Sequence, residues 1–303
     1  MLSPLILGLM FFVYSGISGL MTVKDAEIFE QTEEVPLQIG DFEIQEIDTE
    51  SNQVKWILNA VNSQSDLSQN QAEVDKPKLS FYDPDSNFED LKFIITAKRA
   101  SFDKAEQEII LRDNVQLNTS DKKYKLHAGH LKFNETRPHL VVSKNWTLNS
   151  TDGFQVSGSH GLLAKDFSTI DSQGGAQLRK TQDGELNLRA NKIHLETIGD
   201  NAIRAEESAV LHIDETTDLK AEEIIINADG SILAERLVNA KATNIDCFSD
   251  HLEIEVDADK KPVQAIFTQN PFLIQGDNTI YADKIIYDFE TGKASVIGNV
   301  HSD

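Results

Sequence analysis

A repeat with a period of about 31 residues runs through most of this chain, and it limits the fold more than any other feature. A small residue is followed three and five positions later by apolar ones: Ala97…Ala100-Ser101-Phe102, Ala128…Leu131-Lys132-Phe133, Gly158…Gly161-Leu162-Leu163, Ala190…Ile193-His194-Leu195, Ala221…Ile224-Ile225-Ile226, Ser249…Leu252-Glu253-Ile254 and Ala282…Ile285-Ile286-Tyr287. The small residues are spaced by 31, 30, 32, 31, 28 and 33 positions. A second apolar landmark follows each of them by 18 to 23 positions: Val115, Trp146, Ala176, Val210, Ala240, Phe272 and Val300. Trp56 to Ala60, taken with Lys78 to Phe81, reads as a degenerate copy at the front.

A fixed period of this length predicts stacked units, each too small to bury its own apolar face. Helical repeats need amphipathic helices of roughly 12 residues or more, and helical periodicity is nearly absent beyond Gly40. Short alternating runs occur instead, such as Phe42 to Ile47, Val54 to Leu58 and Leu91 to Ile95, bounded by Asp, Asn, Gly, Ser and Pro. They predict two or three strands per unit joined by turns such as Asp288 to Gly292. Asn62 to Asp75, rich in Gln, Ser and Asn, reads as a flexible loop. Positions three and five of each unit share one face of a strand. Stacked units therefore line one inner surface with Phe102, Leu131, Phe133, Leu163, Ile193, Leu195, Ile224, Ile226, Leu252, Ile254, Ile285 and Tyr287. That stripe is also what a sandwich core requires; a rolled sheet left slightly open has a core that doubles as a groove.

The front of the chain is of a different kind. Met1 to Val23 contains no charged residue, close to the ~20 residues that cross a bilayer. Residues 1–23 are read as a transmembrane anchor and the acidic stretch 24–39 as a tether. The acidic flank after Lys24 favours export of the rest of the chain. A cleaved signal, with Gly16 and Ser18 before the cut, is the competing reading.

Charge and motifs narrow the function. With 28 basic and 50 acidic residues the formal charge is −22. Such a surface repels nucleic acid and phosphorylated headgroups alike, so a lipid would have to be held by its apolar part. Cys247 is the only cysteine, which leaves no internal disulfide or Cys-based metal site. His127 and His130 lie three apart, which on a straight strand puts them on opposite faces and argues against a shared metal. Asp83 to Glu89 lacks the glycine of a calcium loop. No nucleophile elbow, phosphate loop or zinc-helix motif occurs, so neither an enzyme nor a cofactor is expected.

The unit "small-x-x-apolar-x-apolar-Asp … Asn-Val-x-Leu", clearest in Ile94 to Asp103 running into Leu111 to Leu117, resembles the OstA-like β-jellyroll units of lipopolysaccharide transport proteins. The apolar start, the tether and the Trp56 strand look like the LptC family. The closing run from Ile280 to Asp288 and Gly298 to Val300 looks more like LptA. The resemblance implies an all-β, open twisted β-jellyroll of repeated two-to-three-strand units behind one N-terminal transmembrane helix. It implies an LptC-like jellyroll at 40–180 and, since LptC-like chains usually stop near there, an OstA/LptA-like extension at 181–303. Gln182-Asp183-Gly184 reads as the turn at the seam.

The family's function is implied with it: lipopolysaccharide is accepted from ABC transporter permease subunits, carried with its acyl chains in the groove, and passed to an LptA-like periplasmic bridge. The chain would sit in the inner membrane by a single pass, with its bulk in the periplasm. Edge strands would take the partners, through Phe42 and Ile44 at the front and Val296 and Val300 at the end. The competing class is an exported structural or adhesive β-solenoid without lipid transfer.

Overall fold

The computed structural model describes residues 37–302 apart from 67–70, 84–85, 87–88, 104, 182–185, 199–201, 214–216 and 243–244. The expected anchor and most of the tether lie outside the described residues. Among those described the regular structure is β throughout, with no α-helix and no helix able to cross a membrane. Every ladder is antiparallel. This separates the fold from a parallel β-helix. The chain forms two compact units, residues 1–144 and 145–303.

The first unit holds β1 (Leu37–Ile39), β2 (Phe42–Ile47), β3 (Val54–Ala60), β4 (Asn62–Asp66), β5 (Gln71–Asp75), β6 (Lys78–Tyr82), β7 (Leu91–Thr96), β8 (Arg99–Asp103), β9 (Glu108–Thr119) and β10 (Tyr124–Asn134). Its ladders form two layers. In one, β2 pairs β3, β3 pairs β6, β6 pairs β7, and β7 pairs the second half of β9. In the other, β1 pairs β4, β4 pairs β5, β5 pairs β8, and β8 pairs the first half of β9. The Asn62 to Asp75 stretch, expected as a loop, is therefore the β4–β5 hairpin. Its polar composition argues against strand, but its backbone is captured by β1 and β8, and Val74 is buried between them. Tertiary pairing overrides weak local preference here.

β11 (His139–Ser150) crosses the boundary between the units. The second unit continues with β12 (Phe154–Ala164), β13 (Thr169–Lys180), β14 (Leu186–Glu196), β15 (Ile203–His212), β16 (Asp218–Ile226), β17 (Ile232–Ala242), β18 (Ile245–Val256), β19 (Pro262–Thr268), β20 (Phe272–Gln275), β21 (Asn278–Tyr281), β22 (Lys284–Asp288), β23 (Lys293–Ile297) and β24 (His301–Ser302). Consecutive strands from β12 to β18 pair as a meander. Gln182 to Gly184, the expected seam turn, lies outside the described residues. The strands flanking it, β13 and β14, pair from Thr169↔Glu196 to Lys180↔Leu186. Beyond β18 the layers separate: its first half pairs β20, then β21 and β24, while its second half pairs β19, then β22 and β23.

What divides the long strands between two layers is a kink on every second one, and the kinks set the period. Two successive residues with positive φ occur at Asp113-Asn114, Lys144-Asn145, Gly174-Gly175, Glu207-Ser208, Arg236-Leu237 and Gln269-Asn270. At each kink within a unit the register shifts; on β13, Gly174 and Gly175 fall between rungs Gln173↔Lys192 and Ala176↔Ala190. A bulge of this kind bends the strand and re-aims its side chains. The result inverts parity: Ala190 and Ile193, three apart, are both buried, as are Ala128 and Leu131, and Ala221 and Ile224. The same shift, between Ala128 and His130, corrects the straight-strand assignment of His127 and His130: both are half-exposed, and both alternate with inward residues, so they share the outer side. Small residues head each unit because they sit where the layers meet. Asx turns close the far ends, as where Asp288 Oδ1 accepts from the Thr291 N–H at 2.7 Å.

Candidate functional site

Within each unit the inner faces of the two layers meet, and nearly every sequence-nominated groove residue lies there. Leu131, Phe133, Leu163, Ile193, Leu195, Ile224, Ile226, Leu252, Ile254 and Ile285 are all buried, while Phe102 and Tyr287 are half-buried. Exposure follows depth. The residue three positions past the small one lies close to the kink and is sealed. The one five positions past lies nearer the open rim, and Ile226 and Tyr287 are less covered than Ile224 and Ile285. Most of the stripe is thus packed core, each Leu or Ile worth roughly 1.5–3 kcal/mol of burial. Only its rim can meet a ligand. The second landmarks follow suit at Val115, Trp146 and Ala176, and Ala240 is half-buried; they fail at Val210, where Ala209 and Leu211 point inward instead, at Phe272, where Leu273 does, and at the exposed Val300. The twenty-position spacing to Val210 overshot the inward residue by one.

The first unit is closed at its rim by aromatic side chains from both layers. Trp56 and Phe81 of one layer meet Phe133 of the other, with ring centroids 6.4 and 5.5 Å apart. Phe102 lies 6.4 Å from Trp56, and Phe93 stacks on Phe81 at 4.8 Å. Glu135 then ties the two rims together, accepting from Lys55 Nζ at 2.8 Å and from Trp56 Nε1 at 3.3 Å.

The second unit retains an opening. A cavity of about 20 Å³ lies between its layers, bounded by Ala240, Ala242, Ile245 and Cys247 on one side and by Leu252, Ile254, Ala265, Phe267 and Tyr287 on the other. That is room for about one water molecule. Ile213, Thr217 and Phe289 form its mouth. Polar groups in the lining are the Thr217 and Tyr287 hydroxyls and the Cys247 thiol, which burial pushes up to about 12 and so keeps neutral. Ala265, Phe267, Phe289 and Ile213 escaped sequence reading because they lie outside the repeated unit. The alternation Ala265-Ile266-Phe267 was the available signal.

Phe42 and Ile44, nominated as front-edge contacts, belong to β2, which among the described residues pairs only with β3. Val296 lies in β23, the outermost described strand of its layer. Val300 does not extend it: the closing run breaks at Gly298-Asn299, and Val300 stands 53% exposed between β23 and β24. The break is fixed by Asp283, whose carboxylate takes the Asn299 N–H at 3.1 Å. A Cβ at Gly298 would collide with that same carboxylate. No cluster of three His, Cys, Asp or Glu able to hold a metal occurs among the described residues.

Two antiparallel layers hinged on left-handed kinks, with an apolar interior between them, make this an all-β, jellyroll-like fold. Residues 5–137 match the family described as "Lipopolysaccharide-assembly, LptC-related". The match takes in the Trp56 strand and covers less than half of the chain. Among solved structures, the crystal structure of "LptH, the LptA homologous periplasmic component of the conserved lipopolysaccharide transport device from Pseudomonas aeruginosa" is similar at 10% identity, over 70% of this chain and 93% of that chain, with a TM-score of 0.15. No curated protein matches the chain.

Proposed function

We propose that this chain is a lipopolysaccharide transport component, held in the inner membrane by residues 1–23, with an LptC-like part at 40–180 and an OstA/LptA-like extension at 181–303. It accepts lipopolysaccharide from ABC permease subunits and passes it to an LptA-like bridge. The observation that carries the reading is the LptC-related match over residues 5–137. The interior of the second unit supports it. A surface of charge −22 repels phosphates, while buried acyl chain contributes ~0.8 kcal/mol per CH₂. Parting Phe289 from Ile213 and Thr217 would admit such a chain between the layers. The front-edge residues Phe42 and Ile44 then serve a membrane-embedded partner, and Val296 and Val300 the bridge. Unpaired edges are suited to strand addition.

A photo-crosslinking residue at Leu195 or Tyr287 in cells should capture lipopolysaccharide, and one at His194 or Lys132 on the outer face should not. Equal capture from both faces would refute the transport reading. The anchor is tested apart from it: N-terminal sequencing of the mature chain should return the intact start, and a chain beginning near Gly19 would replace anchor by cleaved signal. For the downstream contact, Val296→Pro removes a strand donor. It should leave the membrane complex assembled while abolishing recovery of the bridge.

A further inference from the structure

One row of side chains can be followed across the outer face of the second unit, rung by rung. Directly paired residues give Ser157, Gln177, Arg189, Val210, Lys220, Asn239, Phe248, Phe272, Tyr281 and His301. Neighbours on their own strands point inward: Cys247 and Leu273 are buried, so Phe248 and Phe272 must face out. The first six positions are polar or aliphatic. The last four, on β18, β20, β21 and β24, all carry rings. These rings stack as a continuous ladder, with centroids 4.7, 5.6 and 4.9 Å apart and interplanar angles of 8°, 37° and 12°. The spacing is that of neighbouring strands, ~4.8 Å, so the rings repeat with the backbone.

Four stacked rings on the solvent face contribute little to a core, since Phe248, Phe272 and Tyr281 are only half-buried and His301 is exposed. They occur only toward the edge of the layer. β24 ends the described part of that layer, and among the described residues no ring covers the outer face of His301. A strand added beside β24 would place one outward side chain there, one strand spacing further on. Cross-strand aromatic pairs favour particular partners, so the last rung acts as a selector of what is added.

From this we infer that β24 receives an extended strand of another protein carrying an aromatic residue on its outward face opposite His301, continuing the ladder by one ring. The front edge strand β2 of a second copy of this chain does not supply that ring. The outward positions alternating with Ile44 on its front edge strand β2 are Glu43 and Gln45, and neither carries a ring. The inference rests on the strand-addition reading above and adds to it a rule of partner choice.

The test is a yeast-displayed library of short β-strand peptides, randomised at alternate positions and sorted against the immobilised full-length protein. Aromatic residues should be enriched at one position, with bound peptides preferring a ring over Ala by about two- to fivefold. The preference should vanish with His301→Ala and return with His301→Phe. His301 is exposed, so neither change threatens folding. No aromatic enrichment, or enrichment that survives His301→Ala, overturns the inference. Failure of Val296→Pro to release the bridge would instead count against strand addition at β23, and leaves the His301 result to stand alone.

Discussion

The depth gradient along the inner stripe makes a quantitative distinction between two residues that bound the same cavity. Leu252 is fully buried near the Arg236-Leu237 kink of the paired strand β17, and its rungs tie it to Ala234 and Phe267. Truncation to Ala leaves a void that two hydrogen-bonded neighbours on either side cannot collapse to fill. Leu→Ala at such sites costs ~2–5 kcal/mol. Tyr287 lies two rungs nearer the rim on β22, half-buried and opposite Ala265 and Ala294. Its ring meets Phe289 edge-on at 5.2 Å, a pair worth ~0.5–1.5 kcal/mol. Tyr287→Ala should therefore cost about 1–2 kcal/mol, under half the Leu252 loss. On the transport function proposed above, it should nonetheless be the more damaging change for lipid capture, because it removes a ring from the rim where an acyl chain would enter. Urea unfolding of both variants, with unchanged slope, measures the stability side; lipopolysaccharide co-purification measures the other. A Leu252→Ala cost below about 1 kcal/mol, or Tyr287→Ala losing as much stability as Leu252→Ala, would refute the division into sealed floor and accessible rim.

Three other residues yield expectations of their own. Leu237 holds φ 52° at a kink while 73% exposed; Leu237→Gly should raise the unfolding free energy read from urea titration by up to about 1 kcal/mol, since a left-handed side chain costs ~1–2 kcal/mol and glycine's extra chain entropy offsets part of that. Asp48 is held down to about 2, first by the Ser51 N–H, then by the Ser51 hydroxyl and Lys55. Its carboxylate therefore favours the fold above its ordinary value of 3.8, and that contribution is lost as pH falls from there toward 2. The urea midpoint of Asp48→Asn should decline less steeply than wild type over this span, and parallel declines would contradict the assignment. Cys247, with its thiol raised to about 12, should resist iodoacetamide at mildly alkaline pH in the native protein and react at once in urea. Rapid native labelling would mean the cavity is open to solvent.

The 31-residue recurrence sufficed to predict an all-β stack of repeated units with an apolar inner stripe, while the antiparallel pairing of their strands emerged from the structure. Apolar alternation is a local consequence of strand geometry, and ten of the twelve nominated stripe residues are buried for that reason. Sequence alone did not reveal why the small residue and the apolar residue three places on both face inward. That depends on pairs of left-handed residues, and Lys144-Asn145, Glu207-Ser208 and Arg236-Leu237 have no common chemistry to betray them. They are imposed by the need of each strand to serve two layers at once. The same kink put His127 and His130 on one side and shifted the inward landmark from Val210 to Ala209. Capture of the Asn62 to Asp75 backbone, closure of the first unit by Trp56, Phe81, Phe102 and Phe133, and the ring ladder from Phe248 to His301 are likewise products of register. Residues up to 80 positions apart, as Lys55 and Glu135 are, meet only because the ladders fix which strand lies beside which.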